Sequence, residues 1–290
     1  MAANPAFNRL ETDARSGYAA FREGGAPAQP QAYPQQYPQQ GYGQPGAPVG
    51  YDQLERQYNA PSAGPVDTGR VTMDDVIMKT LGLFAIVLGF AAGGWFAAAT
   101  NPQLGFMLWM GGMIGTLILG LVIAFKKTLS VPLILGYAAL EGLFVGAVSQ
   151  FFETMYGGIV AQAVLATLAT FAGMFAAYKF GLIKVNDKFR RIVTMMIFGY
   201  AIFAVVNFIY AMVTNTPFGF GGTGMVGVLI SLFAVGLASV SLALDFDNVD
   251  RAIATGAPQK YSWLLAHGII VTLVWLYIEF LRLIARLRSE

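Results

Sequence analysis

Residues 131–152 read VPLILGYAALEGLFVGAVSQFF, and Glu141 is the only residue in that run with an ionisable carboxyl or amine. A hydrocarbon core about 30 Å thick needs roughly 20 apolar residues at helical rise. This stretch meets that length. The solvent it is written for is lipid rather than water.

Working outward, six more apolar runs of comparable length fall at about 76–98, 104–125, 158–180, 190–213, 224–245 and 262–284. The chain is 56% hydrophobic and only 12% charged, with a mean hydropathy of +0.57. That charged share is about half of what a soluble domain carries, which disfavours a soluble globule. The reading is an all-α polytopic membrane protein with seven transmembrane helices over residues 71–290, preceded by a tail over 1–70. The opening MAANPAFNRL has no apolar run of the signal-peptide kind, so insertion is expected to be directed by the first span.

The tail is a different polymer. QPQAYPQQYPQQGYGQPGAPVGY sets Tyr33, Tyr37, Tyr42 and Tyr51 in Pro, Gln and Gly, a composition that cannot recover the entropy of ordering its backbone. It reads as disordered, either a solvated tether or a docking segment for a membrane protein partner. Thr72 followed three residues later by Asp75 reads as a capping box that opens the first helix, with Asp74 and Asp75 at the positive end of its dipole.

Charge sets the orientation. With the tail cytoplasmic, the inner segments carry Arg70, Lys79, Lys126, Lys127, Lys179, Lys184, Lys188, Arg190, Arg191, Arg251 and Lys260, while the three outer loops carry no Lys or Arg. The asymmetry predicts a multi-pass protein of the inner (cytoplasmic) membrane with a cytoplasmic N-terminus. Seven crossings then leave Arg282, Arg286 and Arg288 outside, against the rule. Either packing holds the last helix or it does not cross fully; Tyr261, Trp263, Trp275 and Tyr277 offer anchors for a full crossing. Glycine pairs at i, i+4 (Gly89 and Gly93, Gly111 and Gly115, Gly142 and Gly146) are expected to let helices of the same chain approach closely.

Ionisable side chains inside a membrane are costly, so each is a functional hypothesis. Glu141 is either a titrating or cation-coordinating carboxylate, or a protonated acid that glues two helices. Asp245, Asp247 and Asp250 crowd the end of the sixth span; at about 100° per residue Asp245 and Asp247 point to nearly opposite faces. Asp245, following SLAL, is the expected buried acid, with Asp247 and Asp250 meeting water, Arg251 or Lys260. His267, about one turn inside the seventh span, lies on the same side of the membrane as Asp245 and is either its titrating partner or a neutral bundle histidine. Glu279 and Arg282, at i, i+3, are expected to neutralise each other.

The runs LEGLFVGAVSQFFE, LDFDNVDRAIATGAPQKYSWLLAHG and VTLVWLYIEFLRLI resemble the Bax inhibitor-1/YccA (transmembrane Bax-inhibitor motif) membrane proteins, in bacterial forms with an extended N-terminal tail, over roughly residues 71–290. The resemblance implies seven helices with a central last helix enclosed by the other six, and a pH-sensitive calcium leak gated by two aspartates near the cytoplasmic mouth. Asp245 matches the first of these, and Tyr261 and Trp263 match the aromatic landmarks of the seventh helix. The second aspartate falls near Val271, and the seventh helix contains none. Asp245 paired with His267, or with Glu141, is the expected substitute.

Two functions follow as expectations. One is a proton-gated cation leak, with Asp245, His267, Glu141 and Asp247 along the ion pathway and Asp245 and Glu141 as hard oxygen ligands for a transient calcium ion, no resident cofactor being expected. The other is a non-transporting regulator that binds a membrane protease or stress-response complex through its tail. Partners are then the lipid bilayer, calcium or other cations and such a protein, and no nucleic acid. Enzyme chemistry is disfavoured. The chain has no Cys, His267 is its one histidine, and neither HExxH nor GxSxG occurs. Nor does an internal repeat point to a coupled transporter.

Overall fold

The computed structural model describes residues 69–126, 128–216 and 218–289. The tail expectation lies outside these residues, apart from Gly69 and Arg70. Within them are seven helices long and apolar enough to cross a membrane: α1 (Met73–Thr100), α2 (Pro102–Phe125), α3 (Val131–Met155), α4 (Ile159–Lys179), α5 (Asp187–Thr214), α6 (Met225–Ala254) and α7 (Ser262–Arg288). A 3₁₀ turn, Gln259–Tyr261, leads into α7.

Helix ends follow local chemistry. Thr72 caps α1 as the capping box predicts, its hydroxyl oxygen accepting from the Asp75 amide at 3.1 Å. Asn101 ends α1 and starts α2, its Oδ1 accepting from the Gln103 and Leu104 amides, while Pro102 sits where no amide donor is needed. The sixth helix runs well past the expected boundary, to Ala254, so Asp245, Asp247 and Asp250 all lie on regular helix.

Contacts between helix ends alternate up and down. At one end, Gln259 donates to Asp75 at 3.0 Å and Val71 N–H to the Ala257 carbonyl at 2.8 Å. At the other, Arg288 donates to the Tyr156 and Gly157 carbonyls and Arg286 to that of Phe218. We call these the Thr72 end and the Ser289 end. The last helix therefore runs the full height of the bundle.

Each of the five apolar clusters includes an α7 side chain, from Leu265 and Ile269 near its start to Leu281 and Ala285 near its finish. The last helix is central as expected, but its enclosure differs. Helices α1, α3, α4 and α6 pack directly on it, α2 lies outside α1 and α3, and α5 lies outside α6. Helix α5 reaches α7 through Tyr200, whose ring stacks on Trp275 at 5.6 Å.

The closest helix approach is α1 on α3. A Cβ at Gly146 would fall 2.0 Å from the Ala91 carbonyl oxygen, and one at Gly142 would fall 2.5 Å from that of Val87. That pair packs within the chain as expected. The register of the others differs: Gly94 and Gly112 meet α3, as does Gly115, while Gly89, Gly93 and Gly111 face open space.

Candidate functional site at the α6–α7 seam

Helix α6 turns a row of small and polar residues toward α7. Ser231, Ala234, Ala238 and Ser241 are buried, and Asp245 continues the row toward the Thr72 end. Opposite it α7 places Gly268, whose missing side chain leaves Asp245 Oδ1 3.7 Å from where a Cβ would stand. The Thr272 hydroxyl, one turn on, also lies within reach of Asp245. Asp245 Oδ2 is buried and has no hydrogen-bond partner among the described residues. Burying a polar oxygen without a partner is uncommon enough to need a reason.

The neighbouring aspartates do turn elsewhere. Asp247 forms a short ion pair with Arg190 at the start of α5 and accepts from Arg251 Nε at 2.7 Å. Asp250 accepts from the Tyr178 hydroxyl at 2.8 Å. The pairing of Asp247 with Arg251 matches expectation; the Arg190 and Tyr178 contacts do not follow from sequence spacing. Arg190 also donates to Asn248 at 2.6 Å, which fastens α5 to α6 at the Thr72 end. Lys260 lies over the Tyr261 ring rather than on an aspartate.

His267 and Asp245 sit at the same level of the bundle but on different faces of α7. His267 turns to α3, where the Tyr137 ring meets it edge-on at 4.5 Å. Tyr137 in turn donates to Glu141 Oε1 at 2.9 Å. Glu141 is buried, and its Oε2 has no partner among the described residues. The structure thus groups His267, Tyr137 and Glu141 on the α3 side of α7 and leaves Asp245 with Gly268 and Thr272 on the α6 side. No hydrogen bond joins Asp245 to His267 or to Glu141 among the contacts described. Nor do three or more His, Asp or Glu side chains gather closely enough, among the described residues, to hold a metal ion.

Further along, Ser149 and Tyr277 share a 2.6 Å hydrogen bond between α3 and α7. Glu279 is buried and does pair with Arg282, at 3.3 Å. Its Oε1 also accepts from the Tyr200 hydroxyl at 2.7 Å and from Trp275 Nε1 at 3.2 Å. Spacing shows the Trp275, Glu279 and Arg282 face of α7, but not that Tyr200 completes it from α5.

The terminal arginines that strain the charge rule are all engaged. Arg286 is buried and donates to Ser231 Oγ at 2.7 Å and to the carbonyls of Gly227 and Phe218, with its guanidinium carbon 5.5 Å from the centre of the Phe218 ring. Arg288 holds the α3–α4 turn and donates to Gln162 at 2.8 Å. Arg286 Nε is buried without a partner among the described residues, but its terminal nitrogens are bound to protein oxygens, so packing rather than the preferred side of the membrane fixes this side chain.

The geometry defines a class: a seven-span helical membrane protein whose central helix carries titratable and hydrogen-bonding groups at several depths. The sequence matches the family description "Bax inhibitor 1 like" over residues 4–289, and the chain belongs to that family. No individual curated protein matches it.

Proposed function

We propose that this protein is a pH-sensitive cation leak, with calcium as the principal ion, gated at the Thr72 end of the α6–α7 seam. The observation that carries the reading is the Asp245 carboxyl beside Thr272, whose Oδ1 faces Gly268 and whose buried Oδ2 has no partner among the described residues. An unpaired charge is expensive to bury. Ionisation of Asp245 therefore calls for water or a cation in the seam, and hard oxygen donors favour calcium. Thr272 beside Asp245 supplies a hydroxyl next to the position, Val271, where the resemblance places a second aspartate. Glu141, also with an unpartnered oxygen, is a second acid for an ion or proton beyond the first, and His267 packs with it rather than with Asp245. Asp247 acts through Arg190 by holding α5 against the mouth.

The excess of Lys and Arg at the Thr72 end supports a cytoplasmic N-terminus in the inner membrane. The test is calcium flux into proteoliposomes, scanned across pH, for the wild-type protein and Asp245→Asn. The expected result is a wild-type flux that changes with pH and a variant flux that does not. An unchanged profile in the variant removes Asp245 from the gate.

A second reading, a non-transporting regulator of a membrane protease or stress-response complex, is favoured by one observation. The root of the tail is built into the α6–α7 corner: Arg70 bridges to Pro258, and Gln259 N–H donates to the Gly69 carbonyl at 2.7 Å. A partner holding the tail would pull on the segment beside the seam. Deleting residues 1–68 separates the two, because the leak keeps its flux and the regulator loses its phenotype.

A further inference from the structure

The cations at the Thr72 end, among the described residues, divide by whether their charge is matched. Lys79 binds Asp75 and Ser262, Arg190 binds Asp247 and Asn248, Arg251 binds Asp247 and Lys260 lies on the Tyr261 ring, while Arg70, apart from the others at the root of the tail, is exposed and only packs beside Gly256. Lys126 has an interaction of its own. Four others, Lys179, Lys184, Lys188 and Arg191, are exposed and have no partner among the described residues. All four fall within one corner, the link from α4 to α5. Within the link itself the one carboxylate is Asp187, which faces Arg251 at 3.9 Å; Asp247 and Asp250 reach the corner from α6 and are engaged by Arg190 and Arg251 and by the Tyr178 hydroxyl.

The same corner carries Phe180 and Leu182, each 79% exposed, more than any other large apolar side chain described. Their exposure is built in. Gly181 takes φ +70° and ends α4 with its amide on the Tyr178 carbonyl, while the Leu182 amide returns to that of Ala177. This αL turn fixes the link so that residues 180 and 182 project outward. Apolar side chains beside unpaired cations, at the rim of a transmembrane bundle, suit the boundary between acyl chains and headgroups.

We infer that the α4–α5 corner is a binding site for an anionic phospholipid, with Lys179, Lys184, Lys188 and Arg191 on the headgroup and Phe180 and Leu182 among the upper acyl carbons. Charge complementarity selects an anionic headgroup over a zwitterionic one. The two apolar side chains select a lipid over free phosphate. Arg190, between Lys188 and Arg191, connects the corner to Asp247 and so to α6.

The test uses the full chain in mild detergent, with phosphatidylglycerol and phosphatidylcholine adducts counted by native mass spectrometry, and it does not depend on any ion flux. The wild type is expected to retain phosphatidylglycerol preferentially, less so as salt rises from about 0.05 to about 0.5 M. Each cation at an anionic surface is worth about fivefold, so Lys184→Gln, Lys188→Gln and Arg191→Gln together should lower the preference at least tenfold. Lys184→Arg with Lys188→Arg should keep it. Lys260→Gln, which removes a cation already placed on a ring, should leave it unchanged.

Equal retention by the triple variant and the wild type overturns the site. So does an equal loss in Lys260→Gln, which would make the preference a property of net charge. Displacement by glycerol phosphate as effective as that by whole lipid assigns the corner to free phosphate and overturns the lipid assignment.

Discussion

The two ends of α7 treat their charges in opposite ways. Toward Ser289, Glu279 accepts from Tyr200, Trp275 and Arg282, and Arg286 donates to Gly227, Ser231 and Phe218. Toward Thr72, Asp245 and Glu141 each keep a buried oxygen with no partner. Gly268 and Glu279 are separated by about 16 Å of helix rise, so both conditions occur within the apolar slab. Arg286 Nε is also left without a partner among the described residues, so the contrast lies in the acids: a partnered acid rigidifies its surroundings, whereas an unsatisfied one gains when its surroundings change. One end is a fastening, and the other is the place where protonation or a cation alters the packing.

The largest effect should come from cutting the fastening. Arg286→Met leaves the Gly227 and Phe218 carbonyls and Ser231 without their shared donor, and should destabilise the bundle by about 3 kcal/mol. Thermal unfolding in detergent measures it. A loss no greater than that of an exposed arginine such as Arg191→Met would mean that the Ser289 end is not held by this side chain.

A smaller effect belongs to the ion pair that holds α5 at the Thr72 end. Asp247 and Arg190 are each 13% exposed in their side chains, between the surface and buried cases. Asp247→Asn should cost about 1–2 kcal/mol. In a double-mutant cycle, adding Arg190→Gln should cost less than Arg190→Gln does alone, because only its bond to Asn248 then remains to be lost. Full additivity would show that the two side chains do not act as a unit.

Much of this arrangement is legible in the sequence, and the rest is hidden for one geometric reason. Span number, the Thr72 cap, the interruption between the first two spans and the Gly142 and Gly146 face of α3 all follow from local composition and spacing. What composition cannot give is the rotation of one helix against another. At about 100° per residue, one position separates Gly93, which faces open space, from Gly94, which faces Leu143. The same step separates His267, turned to Tyr137, from Gly268, turned to Asp245. The expected Asp245 and His267 pair shares a level but not a face. Tyr200 on Glu279 and Arg190 on Asp247 join residues far apart in sequence, for which spacing within a helix carries no signal.

The smallest stability effect should come from the residue with the largest expected functional effect. Asp245→Asn keeps the shape and volume of a side chain whose Oδ2 has no partner to lose, so unfolding in detergent should shift by no more than about 0.5 kcal/mol. Glu279→Gln, an equally conservative change at a carboxylate with three donors, should cost several times as much, because Arg282 is then left without its counter-charge. The ratio of the two isolates the contrast between the ends of α7 from any general intolerance of amides in the membrane. If Asp245→Asn destabilised the protein as much as Glu279→Gln, Asp245 would be a second fastening, and a gate at the seam would lose its physical basis.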